Sequence, residues 1–398
     1  MNYYHRAMEL QDETIAHRRY LHANAEVGLE LPKACAYVMQ ALKNAGLNPV
    51  PCGHGITAAL GSGEKCILLR ADMDALPMPE ESGLPFACQT GTAAHTCGHD
   101  LHAAMLLTAA KMLKENEGAL TGTVKFMFQP AEETFEGARD MLEHGILENP
   151  PVDAALALHV TTGKMPLGLY MYNHTGTMMA SVDGFQITVR GKGSHGAYPH
   201  RSIDPIHMAV QIYQALEGLI AREADPEKMC VLTIGSFQAG SAPNIIPETA
   251  VLQGTLRTND PEQRALLVRR IREMAEKTAE AYGGSAEIET LSAVPPLICS
   301  PQFTQSMAGY IGTLGIPNAT PYPGITASAS EDFAAVAEQV PSAFIHLSAG
   351  FLDDRGTYPA HNPKVQFNED VLPTGAAIYA HCAAQWLNDT HSTKGSLV

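Results

Sequence analysis

Two kinds of hydrophobic pattern alternate along the chain. Up to about Ser181, short apolar runs such as CILLRAD (66–72), TVKFMFQ (123–129) and DAALALH (153–159) are separated by segments with helical periodicity. A continuous apolar run of this length is typical of a strand that is buried on both faces, and its alternation with helices indicates parallel strands. The sequence therefore predicts an α/β fold with a mixed, mostly parallel sheet flanked by helices.

The pattern changes over residues 182–292. DGFQITVRG (183–191) alternates apolar and polar positions, as a half-exposed strand does, and further alternating strands and two helical segments follow it. This order predicts a small α+β domain, with one antiparallel sheet and helices on one side. The first pattern returns from about Ala293. We therefore predict a discontinuous domain of residues 1–181 and 293–398, with a second domain inserted over residues 182–292.

Length and charge restrict the class of protein. The 398 residues exceed what one hydrophobic core usually holds, which favours two domains. The formal net charge of −16 would repel phosphate groups and disfavours nucleic acid as a partner. No apolar run reaches the length of a membrane span, and the first residues, MNYYHRAMELQDET, lack the apolar core of a signal peptide. We expect a cytoplasmic protein that binds neither nucleic acid nor a membrane.

Potential metal ligands stand at the ends of four predicted elements. They are Asp72 and Asp74 in ADMDALP, Cys97 and His99 in HTCGHDLH, Glu132 and Glu133 in QPAEE, and His159 in LALHV. In an open α/β sheet, ligands bind where parallel strands deliver residues at their carboxyl ends. Because these segments are predicted to meet at that edge, we expect their side chains to form one site.

Each segment taken alone has a simpler interpretation. The two aspartates would be turn residues before Pro77, and Asp100 would be the N-cap of the helix that follows it. The adjacent glutamates would be a solvated pair near a helix start, where acids suit the helix dipole. A lone histidine such as His159 is more often a hydrogen-bonded core residue. The metal site is favoured because all four segments converge on one edge.

The donor types fit a centre with two cations. Thiolate, imidazole and carboxylate are all ligands of zinc-type ions, and of two adjacent carboxylates one can bind metal while the other acts as general base toward water. The eight cysteines show no paired spacing, which argues against disulfides, and Cys97 as a thiolate could bridge two ions. A thiol hydrolase that uses Cys97 with His99 or His102 is the alternative, but it leaves both glutamates and His159 without a role.

The motifs together resemble those of the M20 metallopeptidase family. They follow the family's order between about Arg18 and Phe367 and are ADMDALP, HTCGHDLHAA, FQPAEE, ALHV, GKGSHGAYPHRSIDP, APNIIPETAVLQGTLRT, SEDFA and AHNP. More narrowly, they look like the amidohydrolase branch of hippurate hydrolases, N-acyl-amino-acid deacylases and auxin-conjugate hydrolases. The resemblance implies a two-metal catalytic domain of the metal-dependent exopeptidase type. It also implies that the inserted domain is a lid through which the protein forms a homodimer.

The resemblance assigns five metal ligands in the catalytic domain. The matching positions are Cys97, His99, Glu133, His159 and His361. One ion would lie between His99 and His159. The other would lie between Glu133 and His361, with Cys97 bound to both. His361 lies in PAHNPKV, a predicted loop that no spacing rule would connect with the other ligands.

Two further acids of this domain match family positions. Glu132 matches the general base, and Asp74 matches the aspartate that orients a metal-binding histidine in the wider family. Asp72 and Cys97 stand where the peptidase branches place a histidine ligand and a bridging aspartate. This departure is typical of the amidohydrolase branch and makes the role of Asp74 less certain.

Residues of the inserted domain match the family as well. His195 in GKGSHGAYPH is expected to reach an active site, often the partner's in related dimers, and to polarise the scissile carbonyl. Asn244 in APNIIP and Arg257 in GTLRT are candidates for substrate contact, although Arg257 fits a surface ion pair equally well. Ser330 in SASEDFA is expected to cap a helix predicted over residues 331–338.

The sequence thus predicts a metal-dependent amidohydrolase that cleaves N-acyl-L-amino acids, with hippurate-like or N-acetyl substrates, to a carboxylic acid and an amino acid. Two divalent cations per subunit are expected; the mixed donor set suits Zn²⁺, with Mn²⁺, Co²⁺ and Ni²⁺ as alternatives. A dipeptidase or aminopeptidase of the same family is the main alternative. A non-catalytic ligand-binding homologue is disfavoured because Glu132 and His195 are both present.

Overall fold

A computed structural model describes residues 1–317, 319–350 and 358–389. The chain divides into two compact units. The first comprises Met1–Met178, Ile298–Ile325 and the described chain from Asp332 onward, and the second comprises Met179–Leu297 and Thr326–Glu331. The domain boundaries inferred from the sequence, 182–292 for the inserted domain, stay a prediction. In the structure the second unit also includes the short segment 326–331.

The secondary structure elements are labelled in chain order. The strands are β1 (Val50–Cys52), β2 (Gly55–Gly61), β3 (Cys66–Asp72), β4 (Thr123–Gln129), β5 (Ala154–Thr161), β6 (Tyr170–Tyr172), β7 (Thr177–Met179), β8 (Val182–Arg190), β9 (Ser194–His195), β10 (Cys230–Ala239), β11 (Ile245–Ile246), β12 (Thr249–Thr258), β13 (Ser285–Val294), β14 (Leu297–Ile298), β15 (Pro321–Pro323) and β16 (Ser342–Ser348). The helices are α1 (Tyr3–Glu9), α2 (Gln11–Ala23), α3 (Pro32–Asn44), α4 (His99–Glu115), α5 (Gly137–Glu143), α6 (Pro205–Arg222), α7 (Pro261–Ala281), α8 (Pro301–Thr313), α9 (Ala334–Ala337) and α10 (Leu372–Asn388).

An eight-stranded mixed sheet of order β1-β2-β4-β3-β5-β16-β6-β15 forms the centre of the first unit. Strands β4, β3, β5 and β16 are parallel, whereas β2 and β6 pair antiparallel with β4 and β16. Every residue of β3, β4 and β16 is buried, as in strands covered on both faces. Helices α4 and α10 pack on each other and on β3 and complete the main core. The predicted mostly parallel sheet flanked by helices is confirmed.

The second unit contains a four-stranded antiparallel sheet of order β10-β12-β8-β13. Helices α6 and α7 pack on each other and on the sheet, so that Ile212 and Leu267 meet Ile187 and Leu252 in one core. Burial alternates along β12, which has one face on this core. The α+β arrangement predicted from the alternating pattern is observed.

The N-terminal region contains three helices, since α1 ends before Leu10 and α2 begins after it. Two local predictions were wrong. The N-cap of α4 is Gly98 and not Asp100. Helix α9 starts at Ala334, later than predicted, so Ser330 is not its cap. In the part of the chain that the structure describes, none of the helices combines the length and hydrophobicity of a bilayer-spanning segment.

Candidate metal centre

The predicted ligands of the first unit lie together. The ligand atoms of Cys97, His99 and His159 are all within 4.8 Å of one another, and so are those of Cys97, Glu133 and His361. The two groups share Cys97. Strand β5 supplies His159, the loop after β4 supplies Glu133, and the start of α4 supplies His99. The carboxyl edge of the parallel strands therefore collects the residues, as the sequence predicts.

A tight bend at Gly98 lets Cys97 and His99 point into the same site. Gly98 has a φ of 94°, which glycine adopts without strain. A Cβ atom at this position would lie 2.5 Å from Cγ2 of Val160. The bend therefore needs glycine both for its backbone angle and for the close packing against β5.

His99 has the environment of a metal ligand. Its Nδ1 atom donates a hydrogen bond to the backbone carbonyl of Asp74 at 2.9 Å, which leaves Nε2 as the atom that faces the cluster. Nε2 is buried and has no hydrogen-bond partner, and the buried Oε1 of Glu133 lies 3.8 Å away. Burying a polar atom without a partner costs free energy. A cation between Nε2 and Oε1 would remove that cost, so the residues present fit a metal.

Asp74 organises the loop that carries the two glutamates. One oxygen of its carboxylate accepts the backbone N–H of Glu132 at 3.0 Å, and the other accepts that of Glu133 at 3.1 Å. Through its carbonyl oxygen Asp74 also holds His99. Asp74 thus positions three of the residues that the sequence analysis selected.

His159 and His361 belong to the two different ligand groups that share Cys97. Nδ1 of His159 donates to the carbonyl of Val160 at 2.7 Å, and its Nε2 lies 3.5 Å from Sγ of Cys97. His361 has a φ of 66° and donates its backbone N–H to Thr96 at 2.9 Å. Its Nε2 lies 3.3 Å from Oε1 of Glu133. This contact ties a residue late in the chain to the cluster.

Burial and neighbouring charges shift the pKa values of the cluster. Burial raises the pKa of the Cys97 thiol to about 12 and lowers the pKa of His159 well below its usual value. Burial also lowers the pKa of His99, but Asp72 and Cys97 outweigh it and raise that pKa well above the ordinary value. A bound cation would favour the thiolate and the neutral imidazoles, since these are the forms that ligate metal.

Sequence reasoning missed the role of Asp72. Both of its carboxylate oxygens are engaged, one by Arg70 at 2.7 Å and the other by His102 at 2.5 Å. The guanidinium of Arg70 also contacts Gln129 and Asp332, at 2.9 and 3.2 Å, in a fully buried network. The available signal was Arg70 itself, a charged residue inside the continuous apolar run CILLRAD. A buried charge of this kind needs a partner in the fold.

The predicted residues of the second unit lie in two places. His195 on β9 pairs with Ile245 on β11, and the carbonyl of Asn244 accepts the N–H of Gly196 at 2.8 Å, so His195 and Asn244 share one local structure. Arg257 lies on β12, and its Nη1 donates to Oγ of Ser330 at 2.7 Å. Among the described residues Arg257 has no carboxylate partner, so the surface ion pair considered for it is not observed.

Comparison with known proteins places this arrangement in a family. The model of Peptidase family M20/M25/M40 matches residues 68–385. The N-acetyl-L-cysteine deacetylase of Bacillus subtilis is 33% identical over 97% of this chain and 91% of its own, and thermostable carboxypeptidase 2 of Saccharolobus solfataricus is 33% identical over 96% and 97%. Among solved structures, the YXEP protein of Bacillus subtilis, a dinuclear metal-binding peptidase from the M20 family, matches with a TM-score of 0.81 at 30% identity, over 96% of this chain and 99% of that one.

The matched region extends from β3 to α10 and includes every residue of the candidate metal centre. The relatives cover the chain at nearly full length, so the agreement extends to the second unit as well. The resemblance inferred from the motifs is confirmed, and so is the prediction of a hydrolase that acts on amide bonds. The chain belongs to peptidase family M20/M25/M40.

Proposed function

We propose that the protein is a metal-dependent amidohydrolase that releases an amino acid with a free carboxylate from its N-acyl derivative. The observation that carries this proposal is the pair of ligand groups that share Cys97, with Glu132 beside them. Glu132 is buried, its backbone N–H is held by Asp74, and its Oε2 lies 4.0 Å from Nε2 of His99. This arrangement supplies both metal ligands and a carboxylate that is a candidate general base.

Two divalent cations per subunit would complete the site. His99 and His159 would hold one ion, Glu133 and His361 the other, and the Cys97 thiolate would contact both. Sulfur, nitrogen and oxygen donors together suit Zn²⁺, while Mn²⁺, Co²⁺ or Ni²⁺ would also be accepted at such a site. The dinuclear centre of the Bacillus subtilis YXEP protein supports the proposed number of ions.

The reaction would be a hydrolysis in which Glu132 moves the protons. When bound, the cations would polarise the amide carbonyl and lower the pKa of water. Glu132 takes a proton from the attacking water and passes it to the nitrogen of the leaving amino acid, so that the C–N bond breaks as the new C–O bond forms. Asp74 keeps Glu132 in place during both transfers through its hydrogen bond to the Glu132 N–H.

His195 is the proposed donor to the carbonyl oxygen. Its side chain is exposed, and Nδ1 accepts the backbone N–H of Ala197 at 3.0 Å. The neutral ring therefore carries its proton on Nε2, and this is the atom that would donate to a substrate. A hydrogen-bond donor at the developing oxyanion contributes about 3 kcal/mol in comparable reactions.

The free carboxylate of the substrate would be recognised by Arg257 and Asn244. Within the described residues, one guanidinium nitrogen of Arg257 donates to Oγ of Ser330, and the further N–H groups of the guanidinium could form a bidentate contact with a carboxylate. The names of the deacetylase and the carboxypeptidase described above both imply release of an amino acid. A site that binds the carboxylate of the leaving amino acid is consistent with both activities.

A homodimer formed through the second unit is part of the proposal. Within the described residues, β10 is an edge strand of ten residues and exposes Val231 and Phe237. Helix α6, which packs beside β10, exposes Ile206, Val210 and Tyr213. An unpaired edge next to exposed apolar side chains favours association with a second copy.

A carboxypeptidase or dipeptidase is the second candidate, favoured by the 33% identity with thermostable carboxypeptidase 2. A matched screen separates the two. Purified protein loaded in turn with Zn²⁺, Mn²⁺, Co²⁺ and Ni²⁺ is assayed on N-acetyl-, N-benzoyl- and glycyl- derivatives of the same amino acid. An amidohydrolase cleaves the acyl derivatives at least tenfold more efficiently, in kcat/KM, than the glycyl dipeptide. The reverse order identifies a peptidase, and no cleavage with any metal refutes both.

A further inference from the structure

We propose that His102 is a positioning residue that bridges strands β3 and β5 beyond the end of their pairing and thereby sets the orientation of His159. The inference rests on the proposed metal site, because it concerns one of the ligands of that site. His102 is fully buried, as are Asp72 and Tyr379, the residues that share this part of the structure.

The two strands separate just before the site. Their parallel pairing runs from Ile67↔Ala154 to Arg70↔Ala157 and then stops. Beyond this point, residues 70–72 of β3 and residues 158–160 of β5 form what we call the strand fork. Backbone groups inside the fork have lost their ladder partners, and buried backbone groups must find others.

Two side chains replace the missing ladder bonds. The hydroxyl of Tyr379 donates to the carbonyl of Arg70 at 2.6 Å and accepts the N–H of Leu158 at 3.1 Å. One step further, Nε2 of His102 accepts the N–H of Val160 at 2.8 Å, and Nδ1 donates to Asp72 at 2.5 Å. His102 therefore bridges the fork at its open end, as the neutral Nδ1–H tautomer.

The same contacts continue to the candidate ligand. The N–H of Val160 donates to His102, and the carbonyl of Val160 accepts the Nδ1–H of His159 at 2.7 Å. His159 then presents Nε2 to Cys97. Arg70 anchors the other end of the chain of contacts by its bond to Asp72. The position of His159 is thus linked to Asp72 through His102 and Val160.

This arrangement explains the aspartate at position 72. Both oxygens of Asp72 are taken up by hydrogen bonds, one from Arg70 and the other from His102. Asp72 therefore joins the buried arginine to the fork. Residues that hold a metal ligand through hydrogen bonds typically change metal affinity or activity by about 10–100-fold when they are replaced.

The test measures metal binding, with a second histidine as control. His102→Phe keeps an aromatic ring of similar shape but removes both hydrogen bonds. His346→Phe is the matched control, because His346 lies opposite His159 in the register, its ring is 5.6 Å from the His159 ring, and among the described residues its buried Nε2 has no hydrogen-bond partner. His102→Gln can still donate and accept at about the same spacing.

Titration calorimetry and the absorption spectrum of Co²⁺-loaded protein provide the readout. We expect His102→Phe to weaken one of the two Co²⁺ sites by about 10–100-fold and to change the cobalt spectrum. His102→Gln should recover most of this loss, and His346→Phe should bind as wild type does. Equal isotherms and spectra for His102→Phe and His346→Phe would overturn the proposal.

Two further measurements keep the outcomes separate. If wild-type protein binds fewer than two ions, both the proposed function and this inference are overturned. If His159→Ala loses one metal site and His102→Phe does not, only this inference is overturned. Should His102→Phe fail to fold, ¹⁵N spectra of histidine-labelled wild-type protein decide. The histidine signal that disappears in His102→Gln belongs to His102. In wild-type protein this signal must show the Nδ1–H tautomer, and an Nε2–H tautomer would refute the bridge.

Discussion

The backbone carbonyl of Asp74 accepts the Nδ1–H of His99 at 2.9 Å, and Oδ1 of the Asp74 carboxylate lies 3.4 Å from the same nitrogen. The two carboxylate oxygens accept the N–H groups of Glu132 and Glu133. The hydrogen bond to the histidine therefore depends on the main chain of Asp74, and the hydrogen bonds from the glutamates depend on its side chain. A mutation of the side chain changes the second set and keeps the first.

The first prediction is that Asp74→Asn impairs turnover more than metal binding. Asparagine offers one acceptor, and its NH₂ group would face the second backbone N–H, so the glutamate loop shifts while His99 keeps its carbonyl partner. We expect kcat to fall about 10–100-fold with both metals retained. Asp153→Asn is the control, since Asp153 also accepts a backbone N–H, that of Cys66, but at the opposite end of β3. Equal losses in both variants would contradict the assignment.

Replacing the proposed base should abolish catalysis without emptying the site. Glu132→Gln keeps the size of the side chain and loses its basicity, so we expect kcat to fall about 10²–10⁴-fold. Metal content, measured by plasma emission spectrometry, should equal that of wild type. Glu136→Gln, an exposed acid of the same loop, should be near wild type. A Glu132→Gln enzyme that retains most of its activity would exclude Glu132 as the base.

The bend at Gly98 should not tolerate a side chain. Alanine would need a φ near 94° and would bring its Cβ to 2.5 Å from Val160. We expect Gly98→Ala to lose at least about 1 kcal/mol of folding stability and to weaken metal binding at both sites. Gly309→Ala, at an exposed position of α8 with no atom near the added Cβ, should instead gain about 0.5–1 kcal/mol. Calorimetric unfolding of the metal-free proteins measures both changes.

A buried histidine far from solvent should make stability fall at alkaline pH. Burial lowers the pKa of His22, but Asp100 and Glu80 outweigh it and raise that pKa to about 9. The unfolded chain has an ordinary value of about 6.5. Because the folded pKa is the higher one, the stabilisation is complete below about pH 6.5 and is lost as the pH rises to about 9.

The measurement for His22 is the free energy of unfolding by denaturant across this pH range. Wild type should lose on the order of 2 kcal/mol relative to His22→Gln, which lacks the titrating group. His5→Gln, a surface position in α1, should follow the wild-type curve. Parallel curves for wild type and His22→Gln would show that His22 does not carry the charge in the folded state.

His195 should act on turnover and not on metal binding. His195→Ala removes the proposed donor to the carbonyl oxygen, so we expect kcat to fall about 10²–10³-fold with unchanged metal content. His200→Ala, in the same loop, is the control. In a homodimer with sites completed by the partner, mixing His195→Ala with Glu132→Gln chains restores part of the activity. If subunit exchange is verified and activity still does not recover, His195 acts within its own subunit.

Local sequence determined the elements of the fold to a large extent. The runs CILLRAD and TVKFMFQ form β3 and β4 with the predicted bounds. A strand buried on both faces has a continuous apolar run, and a strand buried on one face has an alternating pattern. Both patterns can be recognised from residues that are adjacent in sequence. The convergence of Cys97, His99, Glu133 and His159 was predictable for a related reason, since parallel strands deliver their ends to one edge.

Tertiary structure decided the contacts that no local pattern contains. His361 is brought to Glu133 by a loop, and without the family resemblance nothing in the sequence connects the two. The strand fork depends on Tyr379 of α10 and His102 of α4, which satisfy backbone groups only because the helices pack against the end of the sheet. Burial is the physical reason. A buried polar group must find its partner wherever the fold places one, whereas sequence pattern records only which face is apolar.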